Sequence, residues 1–288
     1  MVRFDVLEAE NLSEACSLLA EHKDEARIIA GGQNLLVLLR HRQITPRYVI
    51  SIKGCSDMRY IKGDGDFLRL GALTTHRAVE TSDLIWSTFP MLVELEHNLG
   101  CVQTRNWGTI GGNLCQASPT NDLAPALIAL NARCRVKSVS EERTLSFDDF
   151  FVDYQKTALR SDEILAEIQI PKPLPRTGGI YRKETVRFAD PPIASVGVVV
   201  TLDERGAVQN ARILLQAVGV TPLRARKAEK AITGEKVQDK LLMTAANLAA
   251  KEARPISDVY GSAEYKREMI KVLTRHNIKE AIRRAQAS

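Results

Sequence analysis

Two glycine pairs, Gly31-Gly32 and Gly111-Gly112, are the residues of this chain whose spacing most readily does chemistry. They stand in Ala30-Gly31-Gly32-Gln33-Asn34-Leu35 and in Thr109-Ile110-Gly111-Gly112-Asn113-Leu114. Paired glycines lack Cβ, reach positive φ and let backbone N–H groups come close to an anion. Successive N–H groups in such turns form a concave nest of positive character that suits a pyrophosphate. In the first motif the nest opens a helix, whose N-terminal dipole adds to the attraction. Gln33, Asn34, Thr109 and Asn113 are short neighbours that can hydrogen-bond phosphate oxygens without adding charge. A glycine pair after a strand also serves as a plain structural turn. Neither stretch is G-x-G-x-x-G opening a βαβ unit, nor G-x-x-x-x-G-K-[ST], so the Rossmann and P-loop readings fail. Two polar-flanked turns on separate lobes suggest a dinucleotide laid between them.

The rest of the chain offers little other chemistry. The five cysteines, Cys16, Cys55, Cys101, Cys115 and Cys134, form no C-x-x-C pair. That scatter argues against a disulfide framework and against a zinc or iron–sulfur site within this chain. The five histidines, His22, His41, His76, His97 and His276, have no supporting constellation, so no general base or nucleophile is nominated and no metal site is expected. The net charge of +5 arises from 40 basic and 35 acidic side chains, and aromatics are only 5%, which does not make the basic, aromatic-interleaved stripe of a nucleic-acid binder. No apolar run approaches the roughly 18–20 residues that span a bilayer. The opening residues Met1–Asp5 have no signal-peptide character, so an intracellular, cytoplasmic protein is expected.

The elements that must position the glycines follow from periodicity. Residues 4–7 and 27–30 read as strands around a helix that Asn11 caps, with Ala15, Leu18 and Leu19 on its apolar face. The second strand runs into Gly31-Gly32, a helix covers 35–40, and a strand returns at 48–52. A second lobe holds a strand at 67–71, a helix from Thr74, a helical pattern from 91 to 99, and a helix near Leu123 with Pro125 in its first turn. Strands at 133–137 and 163–170 close it. Residues 171–179, rich in proline and glycine, read as a linker. Beyond them three successive strands, 181–187, 194–203 and 208–217, precede a mostly helical stretch from Thr221, an α+β arrangement.

At Arg105-Asn106-Trp107-Gly108-Thr109-Ile110-Gly111-Gly112-Asn113-Leu114, with Ala117-Ser118-Pro119 and Asp122-Leu123-Ala124-Pro125, the sequence resembles the second flavin motif of the molybdenum-hydroxylase FAD subunits. These include the medium subunit of carbon monoxide dehydrogenase and the FAD part of xanthine dehydrogenase. The stretch from Ala30 to Leu35 resembles their first flavin motif. The likeness extends to Leu70-Gly71-Ala72, Asp162–Leu165, Tyr181-Arg182-Lys183, Arg224-Ala225-Arg226 and Ser262–Arg267, and so covers essentially the whole chain. It implies an FAD-binding domain of the p-cresol methylhydroxylase/vanillyl-alcohol oxidase type over residues 1–172, with lobes at about 1–55 and 56–172. A C-terminal domain of the carbon monoxide dehydrogenase flavoprotein type would cover 177–288.

The resemblance also implies residue roles. Ile29, Ala30, Gly31, Gly32, Gln33, Asn34 and Leu35 would wrap the FAD pyrophosphate, joined by Thr109, Gly111, Gly112 and Asn113. Asp122 matches an aspartate that hydrogen-bonds the cofactor chain; by its own position it reads equally as a helix N-cap. Leu99 and Leu165 match apolar positions against the ring system of the cofactor, and otherwise read as core leucines. Lys183 matches a lysine near the pyrimidine end of the flavin, where a cation would stabilise the anionic reduced form; alone it reads as a solvated strand lysine. A subgroup including the 4-hydroxybenzoyl-CoA reductases carries a cysteine-rich insertion with a further iron–sulfur cluster. Cys101 and Cys115 with Gln116 are similar to that region, but no long insertion lies between Cys115 and Asp122, so no such cluster is expected and the cysteines should pack as small hydrophobes.

The function so implied is electron relay. A large molybdenum-cofactor subunit would hold the substrate, a small subunit two [2Fe–2S] clusters, and this FAD would exchange electrons with an external acceptor such as NAD or a quinone. Two other readings stand beside it. A stand-alone flavoprotein reductase or oxidase on the same fold would need its own substrate acid and a different C-terminal domain. A non-catalytic nucleotide-binding module would bind no flavin.

Overall fold

A computed structural model describes residues 3–288, so the first two residues of the opening stretch lie outside it. The chain divides into two compact, sequence-interleaved units. The first takes the chain up to Val79, Cys101–Ala117 and Ala132–Pro171; the second takes Glu80–Gly100, Ser118–Asn131 and Lys172–Ser288.

In the first unit a small parallel sheet runs in the order Asp5–Glu8, Tyr48–Ser51, Ala26–Ile29. The helix Leu12–His22 begins where the Asn11 side chain accepts from the Glu14 amide, as the sequence leads one to expect, and it buries Leu12, Ala15, Cys16 and Leu19. A five-stranded antiparallel sheet has the order Ile61–Asp64, Phe67–Gly71, Ile164–Pro171, Arg133–Lys137, Glu142–Ser146. Its two edge strands escape the pattern analysis because they are short and carry lysine, arginine, glutamate and glycine. Such composition protects an edge from further pairing. The helix Val102–Trp107 and the short hairpin of Phe151–Asp153 with Lys156–Thr157 were likewise not read from periodicity.

The second unit is built on an antiparallel sheet of Thr177–Glu184, Ala194–Leu202, Val208–Gln216 and Leu223–Arg224. Val196, Val198 and Val200 alternate onto one face, as a period of two requires, and join a core with the helices Arg226–Ile232, Asp239–Glu252 and Ala263–Ala287. Leu242, Ala245, Ala246, Ala249 and Ala250 form the apolar stripe of the middle helix at i, i+3, i+4, i+7 and i+8. The opposite face meets the helices Pro90–His97 and Leu123–Ala129.

The stretch expected to be a linker, 171–179, is a connection only in its middle, and strands take both of its ends. Pro171 ends one strand and Thr177 begins the next, leaving only 172–176 as connection. The physical reason is packing. A Cβ at Gly178 would stand 2.1 Å from the Ala281 carbonyl oxygen, and one at Gly179 would stand 2.9 Å from the Met91 sulfur. These glycines allow two helices to approach one strand closely; they do not loosen it.

Candidate functional site

The strand Ala26–Ile29 delivers Gly31 and Gly32 to the start of the helix Leu35–Arg40. Gly32 has φ +72°, which glycine adopts without a side-chain clash. The Leu36 amide donates to the Gly32 carbonyl, closing the turn. Among the described residues, the amides of Gly32, Gln33 and Asn34 donate to no protein acceptor. Asn34 occupies the N-cap position without a side-chain capping bond, and the Gln33 side chain, through Nε2, makes one long bond of 3.4 Å to the Gly31 carbonyl. The turn thus offers consecutive unspent donors, which is what an anion nest requires.

The second motif differs. Thr109 caps the helix Ile110–Gln116 with its hydroxyl, which accepts from the Gly112 amide at 3.1 Å. Ile110 donates to the Thr74 carbonyl, Gly111 to Ala72 and Asn113 to Thr109. All four amides of this first turn are therefore engaged inside the protein, and the expected nest is not formed from them. Its glycines act through size. A Cβ at Gly111 would meet the Cβ and carbonyl oxygen of Ala72, both at 2.7 Å, whereas one at Gly112 would approach only the Thr109 hydroxyl, at 2.9 Å. Gly112 is exposed, so its backbone can be approached closely from outside.

The two motifs meet within the first unit. A Cβ on Gly31 would lie 2.0 Å from the Trp107 carbonyl oxygen, and the Gly108 Cα faces Gln33. The Gly108 carbonyl accepts from the His76 amide, and Thr75 bridges Thr109. Ile29, Ala30 and Leu35 are partly buried around the first turn, and Leu165 is buried on the strand Ile164–Pro171.

In the second unit Asp122 stands at the N-cap position of Leu123–Ala129 but makes no side-chain capping bond. One carboxylate oxygen accepts from the Tyr181 hydroxyl and the other from Lys183 Nζ at 2.7 Å. Lys183 also donates to the Asp190 carbonyl. Tyr181 and Lys183 are two apart on one strand, so both point to the same face. Burial, with the Asp122 charge second, pushes the Tyr181 hydroxyl well above the usual tyrosine range. Lys183 is thus half of a buried ion pair, not a solvated strand lysine, and Tyr181 is a member that sequence reasoning missed. Its i, i+2 spacing from Lys183 was the available signal. Leu99 is buried in this unit, its amide on the Glu96 carbonyl.

Cys16, Cys55 and Cys134 are buried, and the first two donate weakly to the Lys137 and Ala9 carbonyls. Cys101 and Cys115 are exposed, contrary to the expectation that every cysteine packs inside. Among the described residues no group of three or more His, Cys, Asp or Glu side chains could hold a metal ion. Nor is any helix among them long and apolar enough to cross a membrane.

A donor-rich glycine turn braced by a second glycine motif, in a chain of mixed helix and antiparallel sheet, has the chemistry that a dinucleotide pyrophosphate needs. The comparisons agree. Residues 2–173 match the family model described as the FAD binding domain in molybdopterin dehydrogenase, and residues 180–281 match the CO dehydrogenase flavoprotein C-terminal domain. The chain belongs to this family of oxidoreductase FAD subunits, and its cofactor is FAD. It is 32% identical over 277 residues to the glyceraldehyde dehydrogenase medium chain of Sulfolobus acidocaldarius, covering 96% of this chain and 98% of the relative. It is 30% identical to the carbon monoxide dehydrogenase medium chain of Afipia carboxidovorans, covering 98% of each. The solved carbon monoxide dehydrogenase of Hydrogenophaga pseudoflava that lacks the Mo-pyranopterin moiety of its cofactor superposes with a TM-score of 0.95 at 30% identity, over 98% of each chain.

Proposed function

We propose that this chain is the FAD-carrying electron-transfer subunit of a multi-subunit molybdenum hydroxylase. A large subunit with the molybdenum cofactor would oxidise or reduce the substrate, and a small [2Fe–2S] subunit would carry electrons to or from this FAD. The flavin would then exchange them with an external partner such as NAD or a quinone, in the cytoplasm. Flavin suits that post because it handles one electron with clusters and two with a nicotinamide, while the protein binds and tunes it.

The observation that carries the reading is the meeting of Gly31 with Trp107 and of Gly108 with Gln33, which joins both flavin motifs beside three amides with no protein acceptor. The proposed cofactor set is Ile29 to Leu35, Thr109, Gly111, Gly112, Asn113 and Leu165, with Leu99, Asp122 and Lys183. The division into an FAD-binding domain at 1–172 and a C-terminal domain at 177–288 belongs to the same proposal.

The test is the flavin content of the protein purified with its co-expressed partner subunits. One FAD per chain, together with iron and molybdenum in the same complex, is expected. A colourless protein that takes up no added FAD would sink the reading.

A further inference from the structure

Trp107 is 56% exposed, an unusual amount for an indole, and it lies at the edge of the first glycine turn. Its own carbonyl oxygen is the atom that leaves no room for a side chain on Gly31. The Lys53 ammonium sits over the indole, 4.7 Å from the ring centroid, a cation–π contact that limits the ring's freedom. On the other glycine of the turn, Leu36 packs against Gly32, with Cδ1 3.0 Å from where a Cβ would stand, and it too is exposed, at 46%. A polar turn with unspent amides therefore adjoins two residues, Trp107 and Leu36, whose apolar side chains are open to solvent, and a lysine stands over the indole of the first.

Resting on the FAD reading, we infer that Trp107 is the stacking platform for the purine ring of the dinucleotide, with Lys53 beside the phosphate that joins it. A pyrophosphate on the amides of Gly32, Gln33 and Asn34 has a ring-bearing arm on either side. One arm begins next to Gly31, against which the Trp107 backbone packs. A neutral, flat heterocycle gains from stacking on an exposed indole and hides the apolar surface that water now faces. The lysine serves both partners: it holds the indole by its π-face and places one positive charge near a doubly anionic group. The role is binding and orientation; no electron or proton passes through either residue.

The experiment removes bound flavin from the complex and measures the dissociation constant for added FAD, ADP and FMN in wild type, Trp107→Ala and Trp107→Phe. Loss of one base–aromatic stack should weaken FAD and ADP by about ten- to a hundredfold in Trp107→Ala. Trp107→Phe should recover most of that, and FMN, which has no purine, should bind all variants alike. Lys53→Met should weaken ADP and FAD less, and its effect should shrink at high salt. Equal FAD affinity in wild type and Trp107→Ala would overturn the inference and leave the FAD reading intact. So would a loss for FMN as large as that for FAD. Failure of the wild-type complex to bind FAD at all would remove the reading on which it rests.

Discussion

Asp122 and Lys183 form an ion pair at 2.7 Å with side chains only 8% and 7% exposed, and Tyr181 donates to the second oxygen of the same carboxylate. Two charges taken out of water tolerate burial only while each has the other and its hydrogen bonds. Asp122→Ala should therefore cost about 3–5 kcal/mol of stability, because it strands the ammonium. Adding Lys183→Met should restore much of that loss. Denaturant unfolding of the two single variants and the double measures the coupling; additive losses would show that the pair is not acting as one unit.

Glu163 accepts from Arg143 through both oxygens and from the Arg160 amide, and these bonds hold its carboxyl down at about 2. A carboxylate depressed in the folded state contributes stability that is complete above its ordinary value near 4.5 and vanishes as pH falls through about 2. Unfolding free energy should decline across that window. Glu163→Gln should be less stable at neutral pH and nearly flat there. Parallel pH profiles for the two proteins would contradict the assignment.

Gly31 and Gly63 offer a matched contrast. A methyl at Gly31 would collide with a backbone carbonyl, while nothing lies within 4 Å of one at Gly63. Gly31→Ala should lose FAD and melt earlier, because the two flavin motifs can no longer touch. Gly63→Ala should keep both properties, or gain a few tenths of a kcal/mol from the reduced freedom of the unfolded chain. Flavin content and melting temperature decide it.

Much of this was legible in the residues. Asn11 announced its helix, residues 194–203 read as a strand and are one, and Gly31-Gly32 announced the turn that leads into the helix Leu35–Arg40. What could not be read was which glycines bend the chain and which thin it. Gly32 needs positive φ, whereas Gly111 and Gly178 need only the absence of a Cβ against Ala72 and Ala281. That distinction depends on neighbours about forty and a hundred residues away. The same holds for Asp122, whose position says N-cap while its partners lie on a strand that follows about sixty residues later. The edge strands Ile61–Asp64 and Glu142–Ser146 were invisible because polar, exposed edges suppress the very alternation by which strands are recognised.

The unequal use of amides in the two glycine motifs sets two different exchange clocks. Hydrogens on Gly32, Gln33 and Asn34 have only solvent to hold them in the protein without flavin and should be replaced by deuterium within the shortest labelling times. Those on Ile110, Gly111, Gly112 and Asn113 are tied to Thr74, Ala72 and Thr109 whether or not a ligand is present. Adding FAD should slow the first group by orders of magnitude and leave the second almost unmoved. The corner that resembles the flavin family most closely would then be the quiet one, a keystone that is set before the cofactor arrives, while the plainer turn beside Trp107 registers its coming and going.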